Sequence, residues 1–166
     1  GNGAAVVFDD SDISTAVTAL ASVWGFHSGH ICTAPTRAIV HRSRYDELVS
    51  ALQATAPRLT VGDPTDMATV VGPVISGAQR ERIENYIQQG ADQGATVVVD
   101  GRRPAHMERG FYVGPTLLAD CRPDMTPVQE EIFGPVIVVV PFDDDEEGIA
   151  IANGTDFGLY DYVFSA

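Results

Sequence analysis

Hydrophobic positions in this chain fall into short apolar runs that alternate with amphipathic stretches. Ala4 to Phe8 is a Val-containing run that predicts a strand. Asp9, Asp10 and Ser11 then supply capping residues ahead of a periodic helix from Ile13 to Phe26. A tight connection around Cys32, closed by Pro35, leads into a strand over Arg37 to His41. A second helix, Ser43 to Ala56, opens on a Ser-x-x-Asp pattern and carries Tyr45, Leu48, Val49 and Leu52 at helical spacing. Val61 to Val74 holds Gly62, Pro64, Gly72 and Pro73 and reads as an irregular loop. A helix over Gly77 to Gly90 follows, with Ile83, Tyr86 and Ile87 on one face, and then a β-branched strand over Ala95 to Val99. Phe111 to Leu118 and Val136 to Phe142 predict further strands, Asp143 to Asn153 a helix opened by acidic residues, and Tyr160 to Ser165 a last strand. This alternation predicts an α/β fold, a mostly parallel sheet covered by helices on both faces, in one domain over 1–166.

Charge and cysteine usage narrow the function classes. A formal net charge of −13, from 23 acidic against 10 basic residues, argues against nucleic acid or an anionic membrane as partner. Two cysteines make no multi-bridge framework, and the start of the chain lacks a charged n-region followed by an apolar h-region, so a cytoplasmic protein with reduced thiols is expected. The longest apolar run, around Val136 to Phe142, is too short to cross a bilayer. Gly1 stands where Met would be expected, and strand-like sequence begins at once, which suggests a cut or processed polypeptide.

Cys32 is the first candidate for chemistry. A thiol on a Gly-containing turn at a helix–strand junction can be held exposed, with backbone N–H groups near enough to accept a developing oxyanion. The competing reading is a buried packing cysteine, the common fate of free Cys. Cys121 has no such setting and reads as structural. His27, His30 and His41 could join Cys32 in a zinc site, but no second ligand pair follows. No metal site is therefore expected; His27 and His30 read as residues that shape the cysteine loop, and a protonated imidazole there would lower the thiol pKa. Gln129 to Val136, QEEIFGPV, puts two carboxylates and an aromatic before a Gly-Pro break; it fits either a cleft-facing strand entrance or a purely structural turn. The acidic run Asp143 to Glu147 reads as a solvated helix start.

Taken together and in order, FHSGHICTAPTR from Phe26, GPVIS from Gly72, GFYVGPTLL from Gly110, QEEIFGPV from Gln129 and the stretch Asn153 to Leu159 resemble the landmarks of the aldehyde dehydrogenase superfamily over the whole chain. The resemblance implies a catalytic-domain segment of an NAD- or NADP-dependent enzyme that oxidises a small-molecule aldehyde to a carboxylic acid. Cys32 would be the nucleophile, forming a thiohemiacetal and then a thioester. Its own N–H and a side-chain amide would hold the oxyanion. Glu131 matches the residue that hydrogen-bonds the nicotinamide ribose, and Phe133 the aromatic beside the cofactor. The family usually has Gln where His30 stands and commonly Asn where His27 stands, so these positions depart from the pattern. Gly1 aligns with the last Gly of a Glu-Leu-Gly-Gly motif. That alignment places the general-base glutamate, the oxyanion amide and the cofactor-binding domain upstream of this chain, and an oligomerisation strand downstream of it. The segment alone is then not competent for the full cycle, and the complete enzyme is expected to be a homo-oligomer. Two alternatives stand beside this: a cofactor-independent cysteine esterase or covalent aldehyde-binding module, and a non-catalytic scaffold.

Overall fold

The sheet is built from strands that need no amphipathic alternation, because both of its faces are covered. The computed structural model describes residues 1–166. Six strands, β1 (Ala4–Val7), β2 (Arg37–His41), β3 (Thr96–Val99), β4 (Thr116–Ala119), β5 (Val136–Phe142) and β6 (Tyr162–Phe164), lie in the order β3-β4-β5-β2-β1-β6. All neighbours are parallel except β3 and β4, which pair antiparallel. The central β5 is buried along nearly its whole VIVVVPF length. Each Val or Ile so placed contributes roughly 1.5–3 kcal/mol relative to exposure, before chain entropy is counted.

The period-2 pleat sorts the strand residues into two cores. Ala5, Val7, Ala38, Val40, Ile137 and Val139 face α1 (Ile13–Trp24) and α2 (Arg42–Thr55) through Leu20, Trp24, Leu48 and Leu52. Ala4, Val6, Ile39, Val136, Val138 and Val140 face α3 (Gly77–Asp92), α4 (Thr126–Gln129) and α5 (Asp145–Ala152) through Ile83, Ile87, Val128 and Ile151. The doubly covered, mostly parallel sheet expected from the alternation is the observed one. No helix is long and apolar enough to cross a membrane.

Several element boundaries differ from the expected ones, each for a local reason. The strand expected over Phe111 to Leu118 shrinks to β4, because Pro115 has no N–H to donate; upstream of it Val113 makes only an isolated bridge to Arg102. The helix expected from Ser43 starts a residue earlier. Its cap is the His41 imidazole, whose Nδ1 accepts from the Ser43 N–H at 3.3 Å. The acidic start of α5 caps the helix: the N-cap Asp144 accepts from the Glu147 N–H, and Glu147 accepts from the N–H of Asp143, one residue before the cap, at 2.7 Å. The short α4 has no counterpart in the expected elements, since one turn, Thr126–Gln129, carries no periodicity.

Two features fix the sheet to the loops around it. Arg37 opens β2, yet its side chain is only 1% exposed. Its guanidinium donates to the carbonyls of Asn2 at 2.7 Å, Ile151 at 3.3 Å and Ala152 at 3.1 Å, so one fork ties the entry of β1 to the end of α5. All the basic side chains of this chain are arginines, and the sequence has no lysine. The second feature is a crossing of two backbones. Gly29, at φ +73°, lies so close to Gly134 that a Cβ on Gly29 would sit 2.1 Å from the Gly134 carbonyl carbon. A Cβ on Gly134 would instead meet the side-chain tip of Ile83, with Cδ1 at 2.5 Å.

Arg37→Ala removes the side-chain donor of the buried Asn2 carbonyl and the part-buried Ala152 carbonyl, while the Ile151 carbonyl keeps the Gly154 N–H, and it is expected to cost about 2 kcal/mol in urea unfolding; a loss under about 0.5 kcal/mol would show that water or relaxation replaces the fork. Gly29→Ala is expected to destabilise far more than Gly134→Ala, because backbone cannot yield where the tip of an isoleucine can. Thermal unfolding of the two variants checks the order, and equal losses would contradict it.

Candidate active site

The cysteine loop begins where α1 stops. Past Gly25 the chain enters a 3-10 turn, Phe26–Gly29, in which His27 (φ 49°), Ser28 (φ 57°) and Gly29 (φ 73°) are left-handed in succession. Such a conformation costs roughly 1–2 kcal/mol for a residue with a Cβ, so His27 and Ser28 are held against their preference. What holds them is visible: Ser28 Oγ donates to the Gly72 carbonyl at 2.8 Å, the His30 N–H donates to the His27 carbonyl at 3.0 Å, and Trp24 Nε1 donates to the Pro135 carbonyl at 3.0 Å. The turn swings the chain outward, and Cys32 follows it with an exposed side chain. The Cys32 N–H has no acceptor within the chain. Its carbonyl is closely abutted by Gly1. Of the two readings left open for this residue, the buried packing cysteine does not describe it.

Cys121 behaves in the opposite way. It is 2% exposed in the core under β4 and β5, and burial pushes its thiol up to about 12. The two cysteines are not bonded to each other.

The QEEIFGPV segment runs beside the cysteine loop and is clamped from the other side by α3. Arg82 donates to the Glu131 carbonyl at 2.7 Å and to the Ile132 carbonyl at 2.8 Å, and Gln79 Nε2 donates to the Phe133 carbonyl at 2.9 Å. The Tyr86 hydroxyl donates to Glu130 Oε2 at 2.6 Å. Glu131 is half-buried, with its carboxylate beside Gly1. Phe133 is left-handed (φ 57°), with its ring stacked on the His30 imidazole at 5.2 Å between centroids and 6° between planes. Cys32, Glu131 and Phe133 thus lie on two segments joined by the Gly29–Gly134 crossing. Gln79 and Arg82 are the residues that sequence reading missed. Polar side chains one turn apart on a helix look solvated, and nothing local signals that their partners lie about fifty residues on.

The histidines do not form a metal site, since no three His, Cys, Asp or Glu side chains are grouped to hold an ion. His30 is also not the cation envisaged beside the thiol. Burial first, and the charge of His27 second, lower its pKa and favour the neutral ring. Behind the loop lies a cavity of about 410 Å³ lined by His27, Ser28, His30 and Gly72 among others. A larger one, about 550 Å³, sits away from the loop between Leu59, Val61, Val98 and His106 and shares no residue with it.

All of these loops gather at one rim of the sheet. The cysteine loop enters β2, QEEIFGPV enters β5, Gly1 precedes β1, and Tyr162 at the start of β6 donates its hydroxyl to the Thr33 carbonyl at 3.2 Å. Parallel α/β sheets usually collect ligands beyond the carboxyl ends of their strands. Here the candidate residues collect at the amino ends.

Comparison with known proteins bears on the family and the fold. The family model described as "Aldehyde dehydrogenase family" matches residues 1–166. A betaine aldehyde dehydrogenase of Rhizobium johnstonii is 44% identical over 168 residues, covering 100% of this chain and 34% of the relative. The NAD+ complex of an aldehyde dehydrogenase from Bacillus cereus superposes with a TM-score of 0.94 at 39% identity, over 99% of this chain and 33% of that one. A methylmalonate-semialdehyde dehydrogenase from Oceanimonas doudoroffii superposes at 0.95 with 36% identity, over 100% of this chain and 35% of that one. The chain therefore spans about a third of the length of the relatives it matches. With the family model matched from end to end and the fold shared at this level of identity, the chain belongs to the aldehyde dehydrogenase family.

Proposed function

We propose that residues 1–166 are part of the catalytic domain of an NAD(P)-dependent aldehyde dehydrogenase, with Cys32 as its nucleophile and the cofactor-binding domain outside these residues. One observation carries the reading: an exposed thiol with an unpaired N–H of its own, on a loop locked beside Glu131 and Phe133. The attacking species is the Cys32 thiolate. It adds to the carbonyl carbon of the aldehyde, a C–S bond forms, and the π electrons move onto oxygen to give the thiohemiacetal oxyanion. The Cys32 N–H is free to donate to that oxygen as charge develops. Oxidation leaves a thioester on Cys32, and water releases the carboxylic acid and regenerates the thiol. That hydrolysis needs a general base, which the family resemblance does not assign within residues 1–166, so these residues alone do not complete the cycle.

The residues present fit a nicotinamide cofactor. Glu131 offers a half-buried carboxylate that can accept from ribose hydroxyls, and Phe133 offers a ring on the segment that abuts the nucleophile loop. When bound, the nicotinamide supplies the hydride acceptor. The relatives carry names for aldehydes as different as betaine aldehyde and methylmalonate semialdehyde, so the substrate is assigned as an aldehyde and no further. The complete enzyme is taken to be a cytoplasmic homo-oligomer on the family resemblance alone; for residues 1–166, the net charge of −13 supports the absence of nucleic-acid or anionic-membrane partners.

In the complete enzyme, Cys32→Ser is expected to lower NAD(P)-dependent aldehyde oxidation at least about 1,000-fold, and turnover within tenfold of the parent enzyme would reject Cys32 as nucleophile. The two thiols of this segment should also differ in reactivity. Iodoacetamide at neutral pH is expected to modify Cys32 and to spare Cys121 until the protein is unfolded, as read by peptide mass spectrometry; modification of both at similar rates would contradict the contrast between them.

A further inference from the structure

His30 is a residue that the proposed chemistry does not use, in a place where the family usually has glutamine. Its ring lies flat on Phe133, 6° from parallel. Its Nε2 is buried and has no hydrogen-bond partner. An imidazole retained for hydrogen bonding would use that nitrogen, since leaving it bare costs stability. What the side chain contributes instead is a flat face laid against the Phe133 ring. Phe133 needs such support. Its backbone is fixed on one side by Gln79, Arg82 and the Gly134 crossing, but its left-handed φ of 57° is strained for an aromatic residue. None of those contacts touches the ring.

We infer that His30 is a positioning residue that sets the Phe133 ring, and through it the seat of the nicotinamide, relative to the loop carrying Cys32. This rests on the proposed function, in which Phe133 packs beside the cofactor. His30 stands just ahead of the nucleophile in the chain, so one rigid turn fixes both the attacking sulfur and the aromatic wall. The interaction is modest: a stack of two flat rings is worth at most about a tenfold change in an equilibrium. Its effect belongs on cofactor binding, because His30 touches the aromatic wall and not the reacting atoms.

The test uses the complete enzyme with His30→Leu, which keeps bulk and loses the flat ring, and His30→Phe, which keeps the ring and loses both nitrogens. NAD+ affinity is read by isothermal titration, and the integrity of the loop by the rate of Cys32 alkylation with iodoacetamide. His30→Leu is expected to weaken NAD+ binding about three- to tenfold with the alkylation rate within about twofold of the parent. His30→Phe is expected to restore affinity to within about twofold. In a Phe133→Ala background, His30→Leu should have no further effect on NAD+ affinity, since the route through the ring is already gone. Unchanged affinity in His30→Leu, failure of His30→Phe to restore it, or additive losses in the double variant would each overturn the inference while leaving the proposed function intact. A parent enzyme that binds neither NAD+ nor NADP+ would overturn the proposed function, and the inference with it.

Discussion

The contact on which the site depends is a crossing of two peptide backbones at Gly29 and Gly134, closer than a Cβ on Gly29 permits. It joins the loop that presents Cys32 to the segment that carries Glu131 and Phe133. Everything else around it is arranged to make that approach tolerable. Ser28 anchors the left-handed turn to the Gly72 carbonyl, Trp24 reaches the Pro135 carbonyl from the end of α1, and Arg82 with Gln79 draws the carbonyls of residues 131 to 133 toward α3. A nucleophile and its surroundings have to be held to within a fraction of an ångström for productive attack. Glycine-to-glycine contact gives that rigidity with no side chain that could change rotamer.

The fold was largely legible from the chain because its strands are continuous apolar runs and its helices keep one apolar stripe. Val136 to Phe142 and Arg37 to His41 are found where the pattern puts them, and the periodic stretch of α1 overran its observed end at Trp24 by only its last residues. The failures have specific causes. A proline inside Phe111 to Leu118 removed a ladder donor, a histidine capped α2 in place of the serine that the motif favoured, and a single turn at Thr126–Gln129 was too short to show a period. At the site, Cys32 could be singled out because a Gly-flanked turn before a proline has a local signature. Gln79 and Arg82 could not, because their role exists only once α3 and the 131–133 segment have folded against each other.

Charge is used in two ways. Most of the acidic side chains lie in solvent or cap helices, as Asp12, Asp144 and Glu147 do. The cations are fewer and more structural. Arg37 is taken almost wholly out of water, where burial lowers its pKa and Asp161 works against that. A guanidinium tolerates such a position because its pKa starts so high that it stays charged, and because its planar fork meets several carbonyls at once. The same geometry serves at Arg82.

The exclusive use of arginine has a chemical consequence of its own. Primary amines condense with carbonyl compounds to form imines, and an exposed lysine is a target for that adduct. Guanidinium groups stay protonated across the working range and lack this reactivity. None of the side chains along residues 1–166 is an amine. No lysine amine along these residues can therefore form such an adduct.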